Sequence, residues 1–365
     1  ISGNSLYAWN LHVLPTGATL TTGYLSVKDT VLLQHGTLRL RSPYSYAMAR
    51  RFHIGGTLVV EGRCNITNWQ MFDEGPEEFL VTGTMWCLGV TPNSSQNLTR
   101  CYGEIRNEGE IVVAATALGQ YVTLQAPRID NAGLLRIDGV YGDRQRTVIG
   151  LAKNSGRIEA AGQDARIFCV DEGLTNQGDI VVEPGGFMEL HAATLRHEGG
   201  LISTAGELDL LCERIEWSGG GFDENVLLSN IRVALLGEGP TGVVRLGPMC
   251  ELEGDIPAGL TVALHTQSTD DGPAYAAVSW PGGVNRGRIE TNDSPHNHFT
   301  ADSVIQNEGE IAAIQGWIVG EIRGSGRVRL GVFSLVGSTG GVNVFDGPVE
   351  VDPHGHPPAV PPGLV

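Results

Sequence analysis

Residues 176–186 read "NQGDIVVEPGG": a turn-forming Asn-x-Gly step, four β-prone residues and a second turn. Close variants stand at Asn107, "NEGEIVVAA", and at Asn307, "NEGEIAAIQG". Aligned on its glycine, the phrase recurs at Gly109, Gly133, Gly156, Gly178 and Gly199, with spacings of 24, 23, 22 and 21 residues. Every unit has the same grammar. A β-prone stretch follows the glycine, a polar or glycine turn comes next ("AAGQD", "EPGG", "STAGE"), and a second β stretch follows ("RIFCV", "FMELH", "LDLLC"). A short third segment leads to the next phrase. Upstream, "HGTLRL", "GGTLVVEG" and "TGTMWCLG" place matching glycines at 36, 56 and 83; downstream, "NRGRIE" and "NEGEIAA" resume the series and "GSGRVRLG" closes it.

Two or three short strands per unit, with no i, i+3, i+4, i+7 apolar spacing, predict an all-β chain built as a parallel β-solenoid. Parallel stacking puts equivalent residues about 4.8 Å apart, so the phrase becomes columns. The corner columns are Asn107 and Gly109, Asn131 and Gly133, Asn154 and Gly156, Asn176 and Gly178, Asn285 and Gly287, and Asn307 and Gly309. The glycines are expected at positive φ, which only glycine adopts freely. The asparagines are expected to exchange amide hydrogen bonds up the stack. Ile180 and Val182 are expected to face the core. About 13–14 coils at this rise give a rod on the order of 65 Å.

Variable coils of about 20–27 residues carrying N-x-G-x-I phrases resemble right-handed parallel β-helix proteins of the secreted adhesin and autotransporter-passenger type, with filamentous-haemagglutinin-like repeats. The resemblance covers roughly residues 30–335 and implies a right-handed parallel β-helix. The strict hexapeptide pattern of the left-handed form is absent. Residues 1–30 read as an N-terminal cap, 31–335 as the β-helix, less regular over 219–284, and 336–365 as a final strand with a Pro-rich extended tail.

Composition narrows the function. Gly is 51 of 365 residues, about twice the usual share, and charged residues are only 18%. A net charge of −17 lacks the basic stripe that a nucleic-acid partner needs. No apolar run reaches the ~18–20 residues of a membrane span. The first residue is Ile1, which is the expectation for a processed, secreted chain. Sequons at Asn65, Asn93, Asn97 and Asn292 fit export and glycosylation. Six cysteines permit pairing. Cys87 and Cys101 flank a turn-rich loop and are expected to close it as a disulfide, with Cys64 competing for either partner.

Chemistry-bearing clusters are few. Cys169, His191 and Cys212 each follow a phrase glycine by 13 residues and would share a column; the reading adopted is small side chains on a β face. His296 and His298, and His354 and His356, are paired histidines of the kind that ligate metals, without a further ligand set; the expectation is no cofactor and no metal. Many β-helix proteins degrade polysaccharides, which calls for two carboxylates on one face. Asp270, Asp271 and Asp293 are the candidates. His35-Gly36 stands far upstream of where the pectin-degrading pattern would have it, and no Arg-Ile-Lys occurs. The expectation is therefore a secreted, non-enzymatic structural protein. It would assemble end to end or laterally with its own copies into an extracellular or particle-surface layer, sheath, fibre or coat. The alternatives are a carbohydrate-binding adhesin using Trp69, Trp86, Trp217, Trp280 and Trp317, and a polysaccharide lyase or glycoside hydrolase.

Overall fold

A computed structural model describes residues 2–14, 16–41, 44–68, 74–89, 97–116, 120–139, 146–269, 272–291, 294–331, 334–337 and 343–351. Among these there are strands, turns and no helices, and parallel strands stack as a β-solenoid of about 14 turns. The chain divides into two compact units, residues 1–193 with 204–211 and residues 194–203 with 212–365.

In the first unit each coil contributes strands to three parallel stacks. One runs through Leu11–Val13, Thr30–Leu33, Arg51–Ile54, Glu78–Val81 and Ile105–Asn107. A second runs through Thr37–Arg41, Thr57–Glu61, Thr84–Gly89, Glu110–Ala115, Leu134–Gly139, Arg157–Ala160 and Asp179–Val182. The third begins at Ser2–Ala8 and continues through Thr19–Val27, Ser45–Met48, Cys64–Thr67, Asn97–Cys101, Val122–Asn131, Arg146–Asn154 and Ala165–Cys169.

Strand alternation sends every second side chain inward. Leu38, Leu58, Met85, Ile111, Leu135, Ile158 and Ile180 stand in register and are all buried. Leu40, Val60, Cys87, Val113, Ile137, Ala160 and Val182 form a second buried column beside them. Burying each large aliphatic side chain contributes roughly 1.5–3 kcal/mol. Outside, charges pair between rungs: Arg136 meets Glu159 at 3.3 Å and Arg157 meets Glu183 at 3.4 Å. Such exposed pairs contribute little each.

The asparagine column is a hydrogen-bonded ladder. Asn107 Nδ2 donates to Asn131 Oδ1 (2.6 Å), Asn131 to Asn154 (2.8 Å) and Asn154 to Asn176 (2.7 Å). The same amide nitrogens reach the next coil's backbone carbonyls at Leu134, Arg157 and Asp179. Val81 precedes Asn107 in the column and has no amide to give, and Asn107 Oδ1 has no partner among the described residues.

The glycines depart from the sequence expectation. Gly109, Gly133, Gly156, Gly178, Gly287 and Gly309 are not at positive φ. They are required for another reason. The Gly133 carbonyl accepts the N–H of Arg157 at 2.8 Å, just past Gly156, and this lays the oxygen over the Gly156 Cα. A Cβ on Gly156 would overlap that oxygen, and Gly109, Gly133 and Gly178 stand likewise over Gly83, Gly109 and Gly156. The column is a close approach of backbone to backbone, not a left-handed turn.

The second unit has the same plan with shorter strands. One stack runs through Leu227–Leu228, Gly242–Leu246, Leu260–Leu264, Arg288–Thr291, Glu310–Ala313, Arg327–Leu330 and Val349–Val351. Another runs through Arg232–Leu235, Cys250–Glu253, Ala277–Trp280, His298–Ala301, Gly316–Val319 and Ser334–Gly337. Asn285 donates to Asn307 at 2.8 Å, which restarts a ladder, and Gly309 packs against the Gly287 carbonyl. Between residues 197 and 256 no asparagine ladder forms among the described residues. There His197 and Trp217 turn ring nitrogens toward the Gly221 and Gly219 carbonyls, at 3.2 and 3.1 Å, and Trp280, from farther along the chain, reaches the Gly254 carbonyl at 2.9 Å. Positive φ appears in this region, at Gly220 (74°) and Gly254 (88°).

Candidate functional surfaces

The cysteines do not form the expected loop clasp. Cys64, Cys87, Cys101 and Cys250 are free thiols. Cys87 occupies the aliphatic column between Val60 and Val113, and Cys101 and Cys64 also face the interior. Burial pushes the Cys87 and Cys101 thiols up to about 12, and raises Cys64 too, with Cys87 and Cys101 nearby adding to the effect. These are small apolar core residues, not thiolates ready to react. Cys250 is similar, pushed up to about 11 by burial. The Cys169–His191 column is out of register by one residue. His191 pairs with Phe168, and their rings stack at 4.4 Å.

Asp270 and Asp271 lie outside the described residues, as do Asp293, His354, His356, Trp69, Asn93 and Asn292. No group of three or more His, Cys, Asp or Glu residues among those described is arranged to hold a metal. His296 packs on Tyr275 at 4.7 Å, and His298 on Trp317 at 4.8 Å. Burial, followed by the nearby His296, lowers the His298 pKa.

The tryptophans divide. Trp217 and Trp280 are fully buried and serve the corners, and Trp86 is half-buried. Trp317 is 43% exposed on the outer face of the second unit. Beside it, in-register strands place Ala277 next to His298 and Ser279 next to Thr300. The small side chains at 277 and 279 leave an open depression of about 260 Å³ whose walls include Glu251, His298 and Thr300. A second depression, of about 340 Å³, holds Arg245 and Arg288. Arg288 is engaged by Glu290 at 2.8 Å, so its charge is largely matched.

In the first unit, Tyr7, Tyr24 and Tyr46 form an outward row, with ring centroids 5.5 and 6.3 Å apart. Burial and then the neighbouring tyrosines raise the Tyr24 pKa. Trp9 lies exposed nearby under the Lys28 ammonium, 3.6 Å from the ring centre. The tryptophan-based expectation of an aromatic surface missed this row. Alternation marks Tyr46 as outward, between buried Ser45 and Ala47, but no spacing in the sequence announces that the three tyrosines meet across rungs.

The two sequons within the described residues differ. Asn65 points outward between buried Cys64 and Ile66. Asn97 points inward, is 3% exposed, and donates Nδ2 to the Tyr121 carbonyl at 3.0 Å. Comparison with known proteins gives no match among family profiles, curated proteins or solved structures.

Proposed function

We propose that this chain is a structural β-solenoid that assembles with copies of itself through exposed strand edges, building an extracellular or particle-surface layer, sheath, fibre or coat. The carrying observation is the edge at Ser2–Ala8. This strand pairs with Thr19–Val27 on one side and with no other described strand. Exposed Tyr7, Trp9 and Leu14 lie along the same coil. In the second unit, Val349–Val351 pairs with Arg327–Leu330 and with no other described strand, and Val349 and Val351 are exposed. A parallel strand with no described neighbour on one side, beside apolar side chains, is a template for another parallel strand, and a heterologous contact of this kind propagates into filaments. The resemblance to secreted adhesin-type β-helices fits a scaffold of this sort.

Sedimentation velocity and electron microscopy over a concentration series test the reading. The native chain is expected to form growing assemblies, and the double variant Trp9→Asp, Val351→Asp to stay monomeric. A native chain that stays monomeric at high concentration, or a variant that assembles equally well, overturns it.

A second reading, a carbohydrate-binding adhesin, is favoured by one place. Exposed Trp317 packs edge-on to His298, which lines a depression also edged by Glu251, Ser279 and Thr300, so an aromatic side chain and hydrogen-bonding groups lie close together. Titration with neutral oligosaccharides checks it, with Trp317→Ala expected to abolish binding.

A further inference from the structure

Asn65 and the tyrosine row belong together. In the parallel pairing of Ser45–Met48 with Cys64–Thr67, Tyr46 is the register partner of Asn65, so the two outward side chains stand one rung apart, about 4.8 Å. Tyr46 is 36% exposed and continues into Tyr24 and Tyr7 on the next two rungs. Tyr44, two residues before Tyr46 on the same face, is exposed and lies near Arg63. On the other side, Asn65 has Arg100 as its register partner. Arg100 is turned away from it, with Nε donating to Gln125 Oε1 at 3.1 Å and its guanidinium near the Tyr102 ring. A group on the Asn65 amide therefore has an ion-lined neighbour on one side and an open aromatic shelf on the other. The C–H face of a pyranose ring fits such a shelf, since tyrosine presents an apolar body with a polar tip.

We propose that Asn65 carries an N-linked glycan whose first sugars lie along Tyr46, Tyr24 and Tyr7, and that Asn97 carries none. The inference rests on the reading of the chain as secreted. Transfer joins Asn65 Nδ2 to the anomeric carbon of a lipid-pyrophosphate-linked oligosaccharide. The C1–N bond forms, the C1–O bond to the pyrophosphate breaks, the amide loses a proton, and lipid pyrophosphate leaves. Thr67, whose hydroxyl completes the sequon, is 2% exposed in the fold, so transfer must precede folding. Burial does not shield Asn97 at that stage, but in the fold its amide nitrogen is buried and engaged with the Tyr121 carbonyl, so a chain with a sugar there could not close this stack, and the folded, secreted protein is the fraction without one.

The test is secretion of the full chain from a glycosylating eukaryotic cell, followed by glycopeptide mass spectrometry. Timed peptide-N-glycosidase release from the native protein then compares wild type, Tyr46→Ala, Tyr46→Phe and Tyr7→Ala. Occupied Asn65, empty Asn97, and release several-fold faster from Tyr46→Ala than from wild type or Tyr46→Phe support the proposal. Tyr7→Ala, at a far more exposed position, gives a smaller change in the same direction and carries the test if Tyr46→Ala does not fold. An empty Asn65 in a secreted chain, an occupied Asn97, or equal release rates in all variants overturns the proposal while secretion stands. A chain that is retained without any glycan sinks both the proposal and the secretion reading.

Discussion

The coils from Asn107 to Asn176 and those from His197 to Gly254 solve one problem in two ways. A solenoid corner leaves backbone carbonyls pointing into a dry interior, where an unsatisfied group costs about 1–3 kcal/mol. In the first region a short amide serves both its neighbour's amide and the next coil's carbonyl, and a bare glycine lets the chains close up. The geometry repeats because each rung presents the same donor and acceptor to the next. In the second region, ring N–H groups of Trp217 and His197 reach glycine carbonyls. These rings cannot pass a bond along the stack. They pack on each other instead, with Trp217 edge-on to Phe222 at 4.9 Å and His197 at 5.1 Å from Phe222. Strands there shrink to two residues at Gly221–Phe222 and Leu227–Leu228, and Leu236, Val243 and Met249 stay exposed. A ladder gives periodicity; an aromatic plug fills a corner once.

The sharpest way to break the first arrangement is Gly156→Ala. Its Cβ would overlap the Gly133 carbonyl oxygen, which is held by the Arg157 N–H, so the coil must separate. Chemical denaturation should show a loss of about 3 kcal/mol. Loss below half of that would mean that the stack yields easily at its glycine column.

The second region should break with acid. Burial pushes the His197 pKa down to about 4 from an ordinary 6.5, against a smaller opposing effect of its hydrogen bond to the Gly221 carbonyl. Between these values the unfolded chain takes up a proton that the folded chain refuses. Stability is therefore lost as pH falls through this window, by about 3 kcal/mol once pH is below both. His197→Asn should be less stable than wild type at pH 7, because it forfeits ring packing with Phe222 and Trp217. That deficit should shrink as pH approaches 4. Parallel acid curves for the two proteins would remove His197 as the sensitive group.

Asn154→Leu should cost about 2 kcal/mol, because Asn176 Oδ1 loses its donor and the Asp179 carbonyl loses a partner. The smallest effect belongs to Gly237→Ala. Gly237 has φ 73° and open space around its Cβ position, so the variant bears only the left-handed conformational cost of about 1 kcal/mol. Equal losses for Gly156→Ala and Gly237→Ala would erase the distinction between close approach and turn.

The fold was legible because stacking turns a local phrase into a column, and columns leave a fixed spacing in the chain. Asn131, Asn154 and Asn176 announce themselves at 23 and 22 residues. The reason for the glycines was not legible. A positive φ and a carbonyl lying over a Cα both exclude a Cβ, and the two leave the same glycine in the sequence. The inward direction of Cys87 was hidden too, since a loop follows it in sequence while its own alternation puts it with Val60 and Val113. Site candidates fared worst. Tyr7, Tyr24 and Tyr46 converge through register across coils whose third strands carry no common motif, and the tryptophans that drew notice in the sequence include two that are core.

Native-state hydrogen–deuterium exchange read by mass spectrometry tests the central claim, that the asparagine-laddered coils are the stable body of the stack. Amides in Glu110–Ala115, Arg157–Ala160 and Asp179–Val182 should exchange far more slowly than those in Gly221–Phe222, Arg232–Leu235 and Gly242–Leu246, because the latter sit among shorter strands and unlinked corners. Equal protection in the two sets, or faster exchange in the laddered set, would contradict it.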